Sequence, residues 1–64
     1  MEKFIEVKFW EWPFPNEPKE KVESTMLINA DYILKIEGGF LFDYADRDYN
    51  LVNEEEVIAQ LKQL

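Results

Sequence analysis

Side chains able to carry out chemistry are scarce in this sequence. The 64 residues include no histidine and no cysteine, and the only aliphatic hydroxyls belong to Ser24 and Thr25. Both hydroxyls fall in a predicted strand with no base beside them, so the parts of a nucleophilic triad are missing. Paired carboxylates can act as acid and base, but the cluster at residues 54–56 is typical of a solvated helix start. We therefore expect a protein that is not an enzyme and has no cofactor.

One run has the oxygen spacing that opens a calcium-binding loop. Asp46, Asp48 and Asn50 alternate as in D-x-D-x-N. The sixth position of such a loop needs glycine and is Leu51, and the twelfth needs glutamate and is Val57. The run indicates instead an acidic hairpin turn whose side chains bond their own backbone, and we expect no metal site.

The charge balance bears on the class of partner and on location. Fourteen acidic residues against seven basic ones give a net charge of −7, which repels phosphate backbones and anionic lipid surfaces. We expect no direct nucleic-acid binding and no membrane binding. The first residues carry charges where a signal peptide needs an apolar run, and the aliphatic run at 26–28 is too short to cross a bilayer. We expect a soluble, cytoplasmic protein.

The stretch FWEWPFP, residues 9–15, concentrates two tryptophans, two phenylalanines and two prolines. In the strand predicted here, Trp10 and Trp12 lie on the face opposite the aliphatic residues. Three explanations are open: a β-bulge near Trp10 reverses the faces, the proline loop folds back into a satellite core, or the tryptophans are presented to a partner. The candidate partner-binding residues are Trp10, Trp12 and Phe14.

The elements that would position these residues follow from hydrophobic periodicity. Alternation with period two predicts a sheet of about four or five strands. The predicted strands span residues 4–12, 22–28, 32–37, 40–44 and 49–52. Prolines at 13, 15 and 18 predict an extended loop between the first two strands. The pair at 38–39 is the strongest hairpin signal, since glycine adopts the positive φ angles of primed turns.

A helix is predicted to follow the last strand. Asn53 three residues before Glu56 resembles a capping box, and the acidic first turn suits the positive end of the helix dipole. An apolar stripe then faces the sheet, formed by Val57, Ile58, Leu61 and Leu64. The prediction is one α+β domain, residues 1–64, with a single small, strongly curved antiparallel sheet and one C-terminal helix packed on it.

Residues 26–64 resemble the short proteins of the flagellar FlbD family and similar small phage-borne proteins. The likeness is carried by MLINADYILKIEGG, then FLFDY, YNLV and NEEEVIAQL. It implies a hairpin, a short strand and a terminal helix, with Val57 and Leu61 packing, and it implies no catalytic residues. The insert at residues 10–18 departs from the compact opening of that family.

The small size of the domain favours association with a partner or with a second copy. A domain of this length buries only about 60% of its unfolded surface, and neither disulfides nor a structural metal is available to compensate. We expect a non-enzymatic, small acidic protein-binding or adaptor module whose partner is another protein or a second copy of itself, with a homo-oligomer favoured. The alternative is an acidic inhibitor that imitates nucleic acid and blocks a DNA-binding protein. Salt-sensitive binding would favour the mimic, and salt-insensitive binding lost on tryptophan mutation would favour the module.

Overall fold

The computed structural model describes residues 3–14, 16–17 and 19–64. Over these residues the chain forms five strands, one 3₁₀ turn and one helix. The strands are β1 (Phe4–Glu11), β2 (Val22–Asn29), β3 (Ile33–Glu37), β4 (Phe40–Asp43) and β5 (Asp48–Leu51); the 3₁₀ turn is Ala30–Tyr32 and the helix is α1 (Glu54–Lys62). The predicted α+β class, with an antiparallel sheet and one C-terminal helix, is confirmed.

The five strands form one sheet in the order β2-β1-β5-β4-β3. β1 pairs with β2 along its whole length, from Phe4 opposite Asn29 to Glu11 opposite Val22, while its pairing with β5 covers Phe9 and Trp10. β2 and β3 are the edge strands, and the 3₁₀ turn joins them directly. The strand order does not by itself establish the strong curvature that the sequence predicts, which stays a prediction.

The β3–β4 hairpin turns at the glycine pair. Gly38 has φ 61° and Gly39 has φ 83°, the left-handed values that both central residues of a type I′ turn require. The predicted hairpin is confirmed. A residue with a Cβ would be strained at either position, which is why glycine occupies both.

The core lies on one face of the sheet. Its buried members come from three strands and the helix: Ile5, Val7, Leu41, Leu51 and Val57. Directly opposed residues of an antiparallel pair share a face, so Met26 opposite Val7 and Ile28 opposite Ile5 belong to the same layer. Both are half-buried against the core. The predicted inward face of the first strand is confirmed.

The helix departs from prediction at three residues. Asn53 precedes α1, but its side chain makes no capping hydrogen bond; it accepts from the Lys8 N–H at 2.9 Å and donates to the Glu6 carbonyl at 3.4 Å. The capping-box prediction is therefore wrong, because the amide serves β1 instead. Gln60 lies outside the predicted apolar stripe, yet its side chain also bonds β1. Leu64 lies beyond α1 and is 59% exposed, so the apolar stripe ends at Leu61.

The segment between β1 and β2 has no strand among its described residues, as predicted. The Glu17 N–H donates to the Phe14 carbonyl at 2.9 Å, and the Glu20 N–H donates to the Glu17 carbonyl at 3.0 Å. Pro15 and Pro18, on which part of the loop prediction rested, lie outside the described residues. Across the part of the chain that the structure describes, no helix has the length and apolar character needed to cross a membrane.

Candidate functional site

The three predicted partner-binding residues occupy different environments at the end of β1. Trp10 lies within the strand and is half-buried. Trp12 and Phe14 follow the strand and are 43% and 56% exposed. The structure therefore brings two large aromatic side chains to the surface on one short segment, beside a third that is partly covered.

The placement of Trp10 excludes one of the three explanations given above, the β-bulge. The register of β1 against β2 is regular from Phe4 to Glu11, so no bulge reverses the faces at Trp10. Trp10 is opposite Glu23 and points away from the core layer. The Lys21 ammonium lies 4.3 Å from the centre of the Trp10 ring, close enough for a cation–π interaction. A lysine that closes the loop thus covers part of this ring.

The outer face of the sheet carries further aromatic rings. Trp10 is opposite Asn50, and Asn50 is opposite Phe40, so the three form one row across β1, β5 and β4. The ring of Phe42 lies 6.3 Å from that of Phe40, and the Lys35 ammonium lies 5.0 Å from the Phe42 ring centre. Lysine side chains therefore cover aromatic rings on this face at two places, which reduces its exposed apolar area.

A groove on the core side was not predicted from the sequence. A cavity of about 500 Å³ opens between β2 and the turn that joins β4 to β5. We call it the tyrosine basin, because its lining includes Tyr32, Tyr44 and Tyr49, the three tyrosines of the chain. Met26 and Ile28 of β2 supply apolar surface on the other side. Sequence alone places these tyrosines on three separate elements, so periodicity does not reveal that they converge.

A second cavity of about 440 Å³ adjoins the first. It is lined by aromatic rings, one thioether and two carboxylates: Phe9, Trp10, Tyr49, Met26, Glu11 and Asp48. We call it the acidic basin. The Phe9 and Tyr49 rings meet edge to face, with centroids 5.1 Å apart and an interplanar angle of 69°. This geometry is favourable for paired aromatic rings and fixes the floor of the basin.

The turn between β4 and β5 is stabilised by a buried carboxylate. Asp43 Oδ1 accepts hydrogen bonds from the Ala45 N–H at 2.9 Å and the Arg47 N–H at 3.0 Å. Asp46 adopts a φ of 61°, which aspartate tolerates better than most residues. The predicted self-bonded acidic turn is present, but the side chain responsible is Asp43, ahead of the D-x-D-x-N run. Within the described ranges, no group of three or more acidic side chains is arranged to hold a metal ion.

Comparison with known proteins adds no relative. No protein-family model matches the chain, and neither the curated proteins nor the solved structures contain a significant match. The resemblance of residues 26–64 to the FlbD family therefore stays a prediction.

Proposed function

We propose that this protein is a non-enzymatic protein-binding module that associates with a second copy of itself. One observation carries the proposal: among the described residues, five hydrophobic side chains are buried, whereas eleven large hydrophobic ones are exposed. Single exposed hydrophobic residues are ordinary, but eleven is nearly as many as the twelve that are buried in the core or packed against it. A partner surface that covers part of it would add the burial that so small a domain lacks.

The segment that follows β1 is the part of this surface best suited to self-association. Trp12 and Phe14 are adjacent aromatic side chains on one segment, and aromatic residues dominate the energetics of protein interfaces. Pro13 between them restricts the backbone, so less conformational entropy is lost on binding.

Local charge also permits contact between two copies at this segment. From residue 11 to residue 21 the chain carries Glu11, Glu17 and Glu20 against Lys19 and Lys21, so three negative and two positive charges leave a local excess of one. Most of the net charge of −7 lies elsewhere. Like-charge repulsion between copies is therefore weaker here than the overall charge indicates.

Sedimentation velocity over a concentration series tests this proposal. The variants are Phe14→Ser and the double variant Trp12→Ser with Phe14→Ser, and the matched control is Leu34→Ser, which removes a hydrophobic side chain of similar exposure, 51%, from the edge strand β3. We expect both test variants to sediment as monomers and the control to associate like the unmodified protein. Circular dichroism checks that each variant keeps its fold.

Two outcomes count against the proposal. The first is unchanged association in Phe14→Ser. The Phe14 side chain is exposed, so this substitution should leave the fold intact. The second is an equal loss of association in Leu34→Ser, which would mean that exposed hydrophobic surface in general drives assembly, not the segment after β1.

A further inference from the structure

We infer that the tyrosine basin and the acidic basin form one groove that binds an extended segment of a different protein. A hydrophobic side chain of that segment occupies the tyrosine basin, and a lysine or arginine two residues away occupies the acidic basin. The inference rests on the proposed function, since it names the chemistry of a partner, and the groove borders the Trp12 and Phe14 segment at Glu11.

The two basins are adjacent because two residues line both of them. Met26 of β2 and Tyr49 of β5 line both cavities, so one pair of side chains separates them. Alternate side chains of an extended chain point to the same side, about 6.6 Å apart. A single segment can therefore place two side chains in adjacent basins without bending.

The groove is open to a chain that approaches from the side. β2 is the last strand of the sheet, and three consecutive β2 residues, Met26, Leu27 and Ile28, line the tyrosine basin. Because β2 has no described strand on its outer side, the cavity lies at the edge of the sheet. Leu27 is 69% exposed, which leaves an apolar side chain at this entrance.

The acidic basin has the chemistry of a cation site. Its charged lining residues are Glu11 and Asp48, and no basic residue is among its described lining residues. The Trp10 ring already has the Lys21 ammonium 4.3 Å from its centre, so the aromatic contact for an incoming cation comes from the Phe9 and Tyr49 rings. Carboxylates beside aromatic rings attract ammonium and guanidinium groups through charge pairing and cation–π contact.

The tyrosine basin favours an uncharged side chain. Its lining includes one basic residue, Arg47, and one acidic residue, Asp43, so the basin offers no net negative charge to a cation. Its one carboxylate, Asp43, is buried and already accepts hydrogen bonds from the Ala45 and Arg47 N–H groups. The remaining lining is aromatic and aliphatic, so the basin matches a hydrophobic side chain.

Overall charge favours a basic segment of another protein as the occupant. A second copy of this chain also carries a net charge of −7, because its fourteen acidic residues outnumber its seven basic ones. A positively charged segment is attracted by the same field that repels a second copy. Charge complementarity thus favours a different protein in the groove, whereas the partner proposed for the end of β1 is a second copy of this chain.

The test is an NMR titration of the ¹⁵N-labelled Phe14→Ser variant, which is expected to be monomeric. The probes are acetyl-Leu-Ala-Lys-amide and acetyl-Leu-Ala-norleucine-amide, which differ in the terminal ammonium of one side chain. We expect the lysine peptide to shift the amides of Met26, Asp48 and Tyr49 and to bind about fivefold more tightly than the norleucine peptide. The preference should fall as salt is added.

Matched charge variants assign the effect to the groove. Glu11→Gln with Asp48→Asn should abolish the preference for lysine, whereas Glu55→Gln with Glu56→Gln, which removes the same charge from the exposed start of α1, should preserve it. Equal affinity for the two peptides overturns the inference, as does an equal loss in both double variants, or shifts confined to other surfaces. Such results leave the sedimentation test of self-association unaffected, so the two proposals fail separately.

Discussion

The side-chain amide of Gln60 bonds the main chain of Glu6 twice. Gln60 Oε1 accepts from the Glu6 N–H at 2.8 Å, and Gln60 Nε2 donates to the Glu6 carbonyl at 2.9 Å. β1 pairs with β5 at Phe9 and Trp10, so the amide satisfies backbone groups of β1 on the side where β5 does not reach. A helix residue thus takes the place of a neighbouring strand and closes an edge that would otherwise be open to pairing.

Replacement of Gln60 should therefore destabilise the fold more than its helical position indicates. Gln60→Ala removes both hydrogen bonds, and we expect the free energy of unfolding to fall by about 1 to 2 kcal/mol. Gln63→Ala, at the end of the same helix, is the control and should change it by less than about 0.5 kcal/mol. Urea denaturation measures both, and equal midpoints for the two variants would refute a role for the Gln60 amide.

Asn53 should respond to substitution as a strand partner and not as a helix cap. Asn53→Asp keeps an acceptor for the Lys8 N–H but loses the donor to the Glu6 carbonyl and places a carboxylate near that oxygen. We expect a loss of about 1 kcal/mol in unfolding free energy. A helix cap would tolerate this change, since aspartate and asparagine are about equal at that position. Unchanged or increased stability in urea would therefore contradict the assignment.

The end of the apolar stripe on α1 can be located by two truncations. Leu61 is half-buried against the core, so Leu61→Ala should lower the unfolding free energy by about 1 to 2 kcal/mol, less than for a fully buried leucine. Leu64 is 59% exposed, and Leu64→Ala should cost less than about 0.5 kcal/mol. Thermal and urea unfolding report the difference, and similar losses at both positions would mean that the stripe continues past α1.

The loss of stability on substituting Gly38 should depend only on how well the new residue adopts the left-handed backbone conformation. No atom lies within 4 Å of a Cβ built on Gly38, so a side chain there meets open space. Its φ of 61° remains costly for most residues, and we expect Gly38→Ala to destabilise by about 1 kcal/mol and Gly38→Asn by less. Equal losses for alanine and asparagine would show that the left-handed conformation is not what selects glycine here.

The sequence predicts the elements of this fold well because their signals are local. Alternation in β1 and the Gly38-Gly39 pair each depend on a few adjacent residues, and the structure confirms both. The roles of Asn53 and Gln60 depend on main-chain groups more than 40 residues away, so a local capping pattern at Asn53 gave the wrong partner. Long-range hydrogen bonds of this kind leave no periodic trace in sequence.

The candidate site also has features that the sequence predicts and features that it does not. Strand parity correctly places Trp10 on the face opposite the core, but Trp12 and Phe14 lie beyond the end of β1, so parity does not account for their exposure. The tyrosine basin could not be anticipated, because Tyr32, Tyr44 and Tyr49 come from separate elements that only the sheet order brings together. This groove depends on the order of the strands in the sheet, and local sequence patterns do not predict that order.

Self-association through the end of β1 is tested most directly by the solution mass of the unmodified protein, measured by light scattering over a concentration series at two salt levels. We expect the mass to rise with concentration from the chain mass of 7.7 kDa toward twice that value. We also expect the rise to begin at lower concentration when salt is raised from about 0.05 M to about 0.5 M, because salt screens repulsion between like-charged copies and leaves apolar contacts in place. A mass that stays at 7.7 kDa at every concentration and both salt levels would contradict the account.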